Sequence, residues 1–453
     1  MFKCNFSRLA ACAAAALALL FVPAVRAQSA PGFAGAAALN AYIQRSMKDW
    51  KVPGVAVGIV RGAAPVYLRG FGVRDVRTGR PVTPDTLFDI GSCTKAFTAA
   101  SIAMLVDEGK MSWEGRVESY IPFFHLYNPM ADEYVTMRDL LTHRTGDPES
   151  GMLWYGSALS RDEIVRRIRY IKPSAGFRTT FQYNNLMFLA AGVAVGEVTH
   201  GTWDAFVKSR IFTPLGMSES DTSAVVAQQS PDFSAPHVPG PNGEPRAIPW
   251  RNIDNIGPAG SINSSVRDMA KWIALQLNNG EYGGQRLISA RNVEAMHAPQ
   301  MVIPVHGELG TVFFPDSMQL SYGLGWFIQD YRGHQLILHP GDIDGFSALV
   351  VLIPEIHTGY VVLINLGGGT YRQALGYHIA DQLLGLSDAH WSRYFQNFQT
   401  RMEAAQKRAR ARRVGERHLG THPSRALDAY TGTYQDPLYG RVRITLANGH
   451  LVL

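Results

Sequence analysis

The sequence predicts an α+β fold: an antiparallel sheet assembled from both ends of the chain, flanked by helices, with a helical lobe inserted between its halves. Three observations predict it. Strand-like apolar runs fall at residues 55–60 and 66–72, then again at 322–328, 335–338, 346–353 and 360–365. Between them, residues 113–280 read as helical segments separated by Pro- and Gly-rich loops. At 453 residues the chain is long enough to bury a large core.

The elements follow in order. Residues 36–51 place apolar side chains at helical spacing, and Pro53-Gly54 breaks the pattern. A turn at Arg61-Gly62 joins the first two strands. Residues 86–91 form a short apolar run ending in a glycine turn, and residues 96–108 are helical up to Gly109. Tyr183-Asn184-Asn185 opens a helix reaching about residue 197, whereas 230–249 is the most irregular loop. Gly345, Pro354 and Gly359 punctuate the late strands, and residues 371–384 return to helix. Residues 430–434 and 441–453 read as new strands, too few for an independent β domain. The expected divisions are a signal peptide at 1–27, a main domain at 28–390, a basic helical linker at 391–424, and the start of a truncated C-terminal β-rich module at 425–453.

Lys3 and Arg8 precede an apolar run at residues 9–22, and Val25-Arg26-Ala27 supplies the small residues of a cleavage site. This predicts export to the periplasm or medium. The run is too short to remain as a membrane span. It also follows Cys12 instead of preceding it, which argues against lipidation there. Cleavage would leave Cys93 as the one cysteine, hence no internal disulfide; a small buried residue is the expected role for it. Of the net charge of +6, the signal contributes +3 and residues 401–418 contribute +5, leaving a body of −2. That balance excludes a broadly basic nucleic-acid-binding body and makes the basic stretch a solvated helix.

The chemistry centres on Ser92-Cys93-Thr94-Lys95. Side chains at i and i+3 share a helix face, so Lys95 can reach the Ser92 hydroxyl and, as a neutral amine, take its proton. The serine would lie at a helix N-terminus, where free N–H groups favour developing negative charge. Two further stretches join this pair, Tyr183-Asn184-Asn185 and His339-Pro340-Gly341. No Gly-x-Ser-x-Gly elbow or phosphate-binding glycine loop occurs, and the one His-x-x-x-His pair, His418 and His422, has Gly420 within it and Pro423 after it, which argues against a helical metal face, so neither a cofactor nor a metal is expected.

The order and spacing of these three motifs resemble the penicillin-recognising serine hydrolases, namely class C β-lactamases, DD-peptidases and their esterase and D-aminopeptidase relatives. The resemblance covers roughly residues 36–385 and includes residues 135–146, with His143 in a structural role, as well as Gly257-Pro258-Ala259-Gly260-Ser261 and Tyr322-Gly323-Leu324-Gly325-Trp326. It implies a β-lactamase/transpeptidase-like fold and an acyl-enzyme on Ser92, with Lys95 and Tyr183 sharing the proton transfers. Lone Lys and Tyr titrate near 10, so their proximity is expected to pull at least one down. Asn185 would bond the substrate amide or orient Lys95. The backbone N–H groups of Ser92 and Asp342 would form the oxyanion hole. Where β-lactamases usually carry Lys-Thr-Gly this chain has His339-Pro340-Gly341, and His339 would be mostly neutral at pH 7 and charged below about 6.5. The leading expectation is therefore an exported serine hydrolase acting on small esters, amides or D-residue peptides. The alternatives are a β-lactamase, with Arg251 as a candidate carboxylate ligand, and a slowly deacylating penicillin-binding sensor.

Overall fold

The computed structural model describes residues 33–306 and 314–453; the expected signal peptide lies outside the described residues. Helix α1 (Ala36–Trp50) ends with Lys51 in the left-handed region, and strands β1 (Gly54–Arg61) and β2 (Ala64–Gly72) follow. The remaining strands of the main sheet come after the helical insertion. They are β3 (Met301–Val302), β4 (Ser317–Tyr322), β5 (Phe327–Tyr331), β6 (His334–Ile343), β7 (Phe346–Ile353) and β8 (Thr358–Ile364). Their spatial order is β2-β1-β8-β7-β6-β5-β4-β3, antiparallel throughout. The two ends of the chain meet where β1 pairs with β8, Val57 facing Val362. This is the architecture expected from the sequence.

The middle strands read as continuous apolar runs because both sheet faces are covered. Seven of the eight residues of β1, and all of β7 and β8, are buried. Gly359 of β8 faces Ile273 of helix α4 (Val266–Leu277), whereas Leu349 of β7 faces Gly376 of helix α5 (Tyr371–Leu384). Register places these contacts on opposite faces, since Gly359 pairs with Leu352, three residues from Leu349. Within the insertion, helices α2 (Thr94–Asp107) and α3 (Asn185–Thr199) are buried nearly all round, as expected of helices apolar on every side.

Three details depart from the sequence reading. Residues 322–328 do not form one strand; β4 ends at Tyr322 and β5 starts at Phe327, with a turn between them. Gly325 has φ +80° there, and a Cβ on Gly323 would lie 2.3 Å from Met296 O. The irregular 230–249 loop contains a two-stranded ribbon, His237–Pro239 with Pro245–Ala247. Finally, β6 continues through His339-Pro340-Gly341 instead of stopping before it. Its partner β5 ends opposite Leu338, so one edge of residues 339–343 has no neighbouring strand, the kind of place where proline is tolerated.

Helix α6 (Trp391–Gly415) packs Trp391 and Phe395 into the body, and from Arg401 onward its side chains are exposed. A three-stranded antiparallel sheet follows, formed by Gly432–Asp436, Gly440–Ala447 and His450–Val452. Arg167 Nη1 ties it to the body by donating to Leu438 O at 3.0 Å.

Candidate active site

Ser92 sits in a single 3₁₀ turn, Gly91–Cys93, that runs directly into α2. The turn is possible because Gly91 adopts φ +50°, a conformation that costs glycine little. Asp89 Oδ1 accepts the Gly91 N–H at 2.8 Å and steadies the turn from below.

Lys95 is fully buried one turn along. Its Nζ lies 3.0 Å from Ser92 Oγ, 2.7 Å from Asn185 Oδ1 and 2.8 Å from Ala259 O. Ala259 O and, in this orientation of its amide, Asn185 Oδ1 only accept hydrogen bonds. A neutral amine has two N–H groups to give them, which leaves its lone pair for the Ser92 hydroxyl. Burial, partly offset by the Glu149 charge, lowers the Lys95 pKa to about 7. The amine is thus substantially neutral at pH 7.

Tyr183 lies beside this pair, with Lys95 Nζ 4.7 Å from the centre of its ring. Burial pushes this phenol well above its usual range, with the Glu149 carboxylate adding to the effect. The expected lowering therefore falls on Lys95 and not on Tyr183, and its main cause is lost hydration, not the neighbouring phenol. Tyr183 stays protonated. Asn184 caps α3, its side chain accepting from Leu186 N at 2.9 Å, so Asn185 projects from the first turn toward Lys95. Of its two expected roles, orienting Lys95 is the one the geometry displays.

The third motif forms the opposite wall. A Cβ on Gly341 would stand 1.9 Å from Ile90 O and 3.1 Å from Ser92 N; one on Gly91 would stand 2.7 Å from Asp342 N. Only glycines allow β6 and the nucleophile turn to approach so closely. The Ser92 and Asp342 backbones are thereby brought to one place.

His339 departs from the sequence reading. It is 1% exposed; its Nδ1 lies 2.7 Å from Pro340 O and its Nε2 lies 2.8 Å from Tyr322 Oη. With Nδ1 donating to the carbonyl, Nε2 accepts from the tyrosine, and both ring nitrogens are engaged within the protein. Burial first, then the Lys95 charge, lowers its pKa to about 3. A histidine that charges below 6.5 and contacts substrate is therefore replaced by a neutral one that packs behind the wall. Cys93 is buried with Sγ 3.1 Å from His339 O, and burial raises its thiol to about 12, in keeping with an inert packing role. His143 supports the Tyr183 stretch: its Nδ1 accepts from Asn184 N at 3.0 Å and its ring lies 4.4 Å from that of Tyr183.

Two contributors escaped the sequence reading. Ala259 O is a Lys95 partner from within the stretch Gly257–Ser261, but a backbone acceptor leaves no mark in residue type. Glu149 lies three residues beyond the 135–146 stretch with no pattern to single it out. Its exposed carboxylate accepts from Asn185 N at 2.7 Å and Trp154 Nε1 at 2.9 Å, and its charge reaches both Lys95 and Tyr183. Arg251, the candidate carboxylate ligand, donates from Nε to Asp344 Oδ2 at 3.1 Å and lies over the Tyr155 ring at 4.6 Å. Among the described residues no cluster of ligating side chains could hold a metal ion.

A serine beside a buried, largely neutral lysine and a protonated tyrosine, on this sheet-and-insertion scaffold, defines a serine hydrolase of the β-lactamase-like fold. The sequence model of the family described as Beta-lactamase matches residues 39–384, and the chain belongs to that family. Among its relatives is an unguisins hydrolase (ungD') of Aspergillus campestris, 31% identical over 431 residues, which cover 89% of this chain and 76% of the relative. Among solved structures, the octameric penicillin-binding protein homologue from Pyrococcus abyssi superposes with a TM-score of 0.68 at 27% identity, over 78% of each chain. The D-amino acid amidase from Ochrobactrum anthropi has the same fold, with a TM-score of 0.62 at 22% identity over 76% of this chain and 96% of its own.

Proposed function

We propose that this protein is an exported hydrolase that cleaves small ester or amide bonds, peptides with D-residues included, through an acyl-Ser92 intermediate. The observation that carries the proposal is the Lys95 amine, 3.0 Å from Ser92 Oγ with its N–H groups directed to Asn185 and Ala259. Lys95 takes the Ser92 proton as Oγ attacks the carbonyl carbon. The developing oxyanion is met by the N–H groups of Ser92 and Asp342, each such donor being worth about 10²–10³ in rate. Tyr183, held protonated, passes a proton to the departing alkoxide or amine and recovers one from Lys95. Water then attacks the ester carbonyl, giving its proton back through the same pair, and Ser92 is released.

Charge at the mouth supports neutral or amine-bearing substrates over carboxylates. Glu149 contributes a negative charge, His339 is neutral and enclosed, and Arg251 is already engaged by Asp344. The names of the unguisins hydrolase and the D-amino acid amidase favour amide or peptide substrates. Export rests on the apolar run at residues 9–22 and the small-residue site ending at Ala27.

The test is hydrolysis of a short aryl ester by wild type and Ser92→Ala. Turnover lost in the variant supports the proposal, and turnover retained in it overturns the assignment of the nucleophile. Intact-mass analysis after a penicillin pulse separates the rivals. A lasting adduct indicates a sensor, one formed and rapidly lost indicates a β-lactamase, and none is expected.

A further inference from the structure

Arg372, at the start of α5, is 3% exposed and reaches the sheet beneath the nucleophile turn. Its Nη1 donates to Gly341 O at 2.8 Å and to Asp342 Oδ2 at 2.5 Å. Asp342 Oδ1 in turn accepts from Ser347 Oγ of β7 at 2.7 Å. The Gly341 carbonyl and the Asp342 N–H are the two ends of one planar peptide group. A buried cation on the carbonyl end therefore acts on the N–H at the other end, in two ways. It fixes the plane of the peptide, so that the N–H keeps its aim, and it polarises the group, which strengthens the donor. The adjacent carboxylate neutralises the guanidinium and supplies a second anchor, so the clamp holds residue 342 through both backbone and side chain.

We infer that Arg372 is a positioning residue that aligns and polarises the Gly341–Asp342 peptide as an oxyanion donor. The inference rests on the proposed oxyanion role of Asp342 N–H. It places the control of that donor on a helix that contributes nothing else to the site described above.

The test uses a slowly released aryl acyl group on Ser92, whose ester C=O stretch is read by infrared difference spectroscopy alongside steady-state kinetics. Donors in the oxyanion hole lower that frequency, so Arg372→Gln is expected to raise it. It should also reduce kcat by about 10- to 100-fold, less than outright loss of a donor, with KM changed by less than about threefold. Arg372→Lys, which keeps the charge with poorer geometry, is expected to fall between. Should Arg372→Gln fail to fold, Asp342→Asn removes the charged half of the clamp and leaves the backbone chemistry in place, and a smaller upshift is expected. An acyl-enzyme whose carbonyl frequency is unchanged in the folded variants overturns the inference alone. Failure of wild type to form any acyl-enzyme overturns the parent reading along with it.

Discussion

Asn185 Oδ1 receives a hydrogen bond from Lys95 Nζ at 2.7 Å, and the same residue's backbone N–H is held by Glu149 Oε2, also at 2.7 Å. One asparagine thus links the buried amine to an exposed carboxylate, and the protonation of Lys95 becomes adjustable from two sides.

With Lys95 at about 7, kcat/KM for an aryl ester should rise with pH through that value as the amine loses its proton. Glu149→Gln removes a negative charge that favours the ammonium form, so the limb should move to lower pH. Asn185→Asp places a new anion against Nζ, so the limb should move up. Shifts in the same direction for both variants would take the limb away from Lys95.

His339→Asn should leave the limb near 7 in place, because burial holds the wild-type imidazole neutral down to about 3. Disappearance of the limb in that variant would return the titration to the histidine. Tyr322→Phe leaves His339 Nε2 without its donor, and an unfolding experiment should show a loss of about 1–3 kcal/mol.

Gly341→Ala should lower kcat/KM by more than about 10²-fold, since its Cβ would meet Ile90 O at 1.9 Å and the nucleophile turn must shift. Kinetics and thermal melting of the purified variant check this; near-wild-type activity would show that the strand and turn can separate at no cost to geometry.

Asp139 is fully buried and receives Arg144 Nε at 2.5 Å, Arg178 Nη2 at 2.7 Å and the Thr136 N–H at 2.9 Å. Burial alone would raise its pKa, but these donors outweigh burial and hold it below the usual carboxylate range. The folded carboxyl thus binds a proton less readily than the unfolded one. Its contribution is complete above the unfolded pKa of about 3.9 and is lost as the pH falls through the lower folded value. Melting curves should show acid destabilisation below about pH 4 that is weaker in Asp139→Asn. At pH 7 that variant should be less stable by about 3 kcal/mol, the low end for a broken buried pair because both arginines reach solvent.

The sequence by itself determined what depends on local spacing. Ser92 and Lys95 share a helix face because they are three residues apart. The alternation of apolar strand runs, a helical middle and further strands required one sheet with an insertion. Glycines marked turns, as at Gly91 and Gly345. Tertiary structure alone decided the charge states, because hydration is lost through neighbours distant along the chain. Burial in the packed interior lowers the Lys95 amine to about 7, although Asn185 Oδ1 and Ala259 O accept its hydrogen bonds, and burial likewise leaves the Tyr183 phenol protonated. His339 looked like a titrating ligand in sequence because nothing near it shows that Tyr322 and its own strand would occupy both ring nitrogens. Glu149 and Arg372 carry no local signal at all: each acquires its role from a contact across the fold, and such contacts exist only once the sheet and the insertion have packed together.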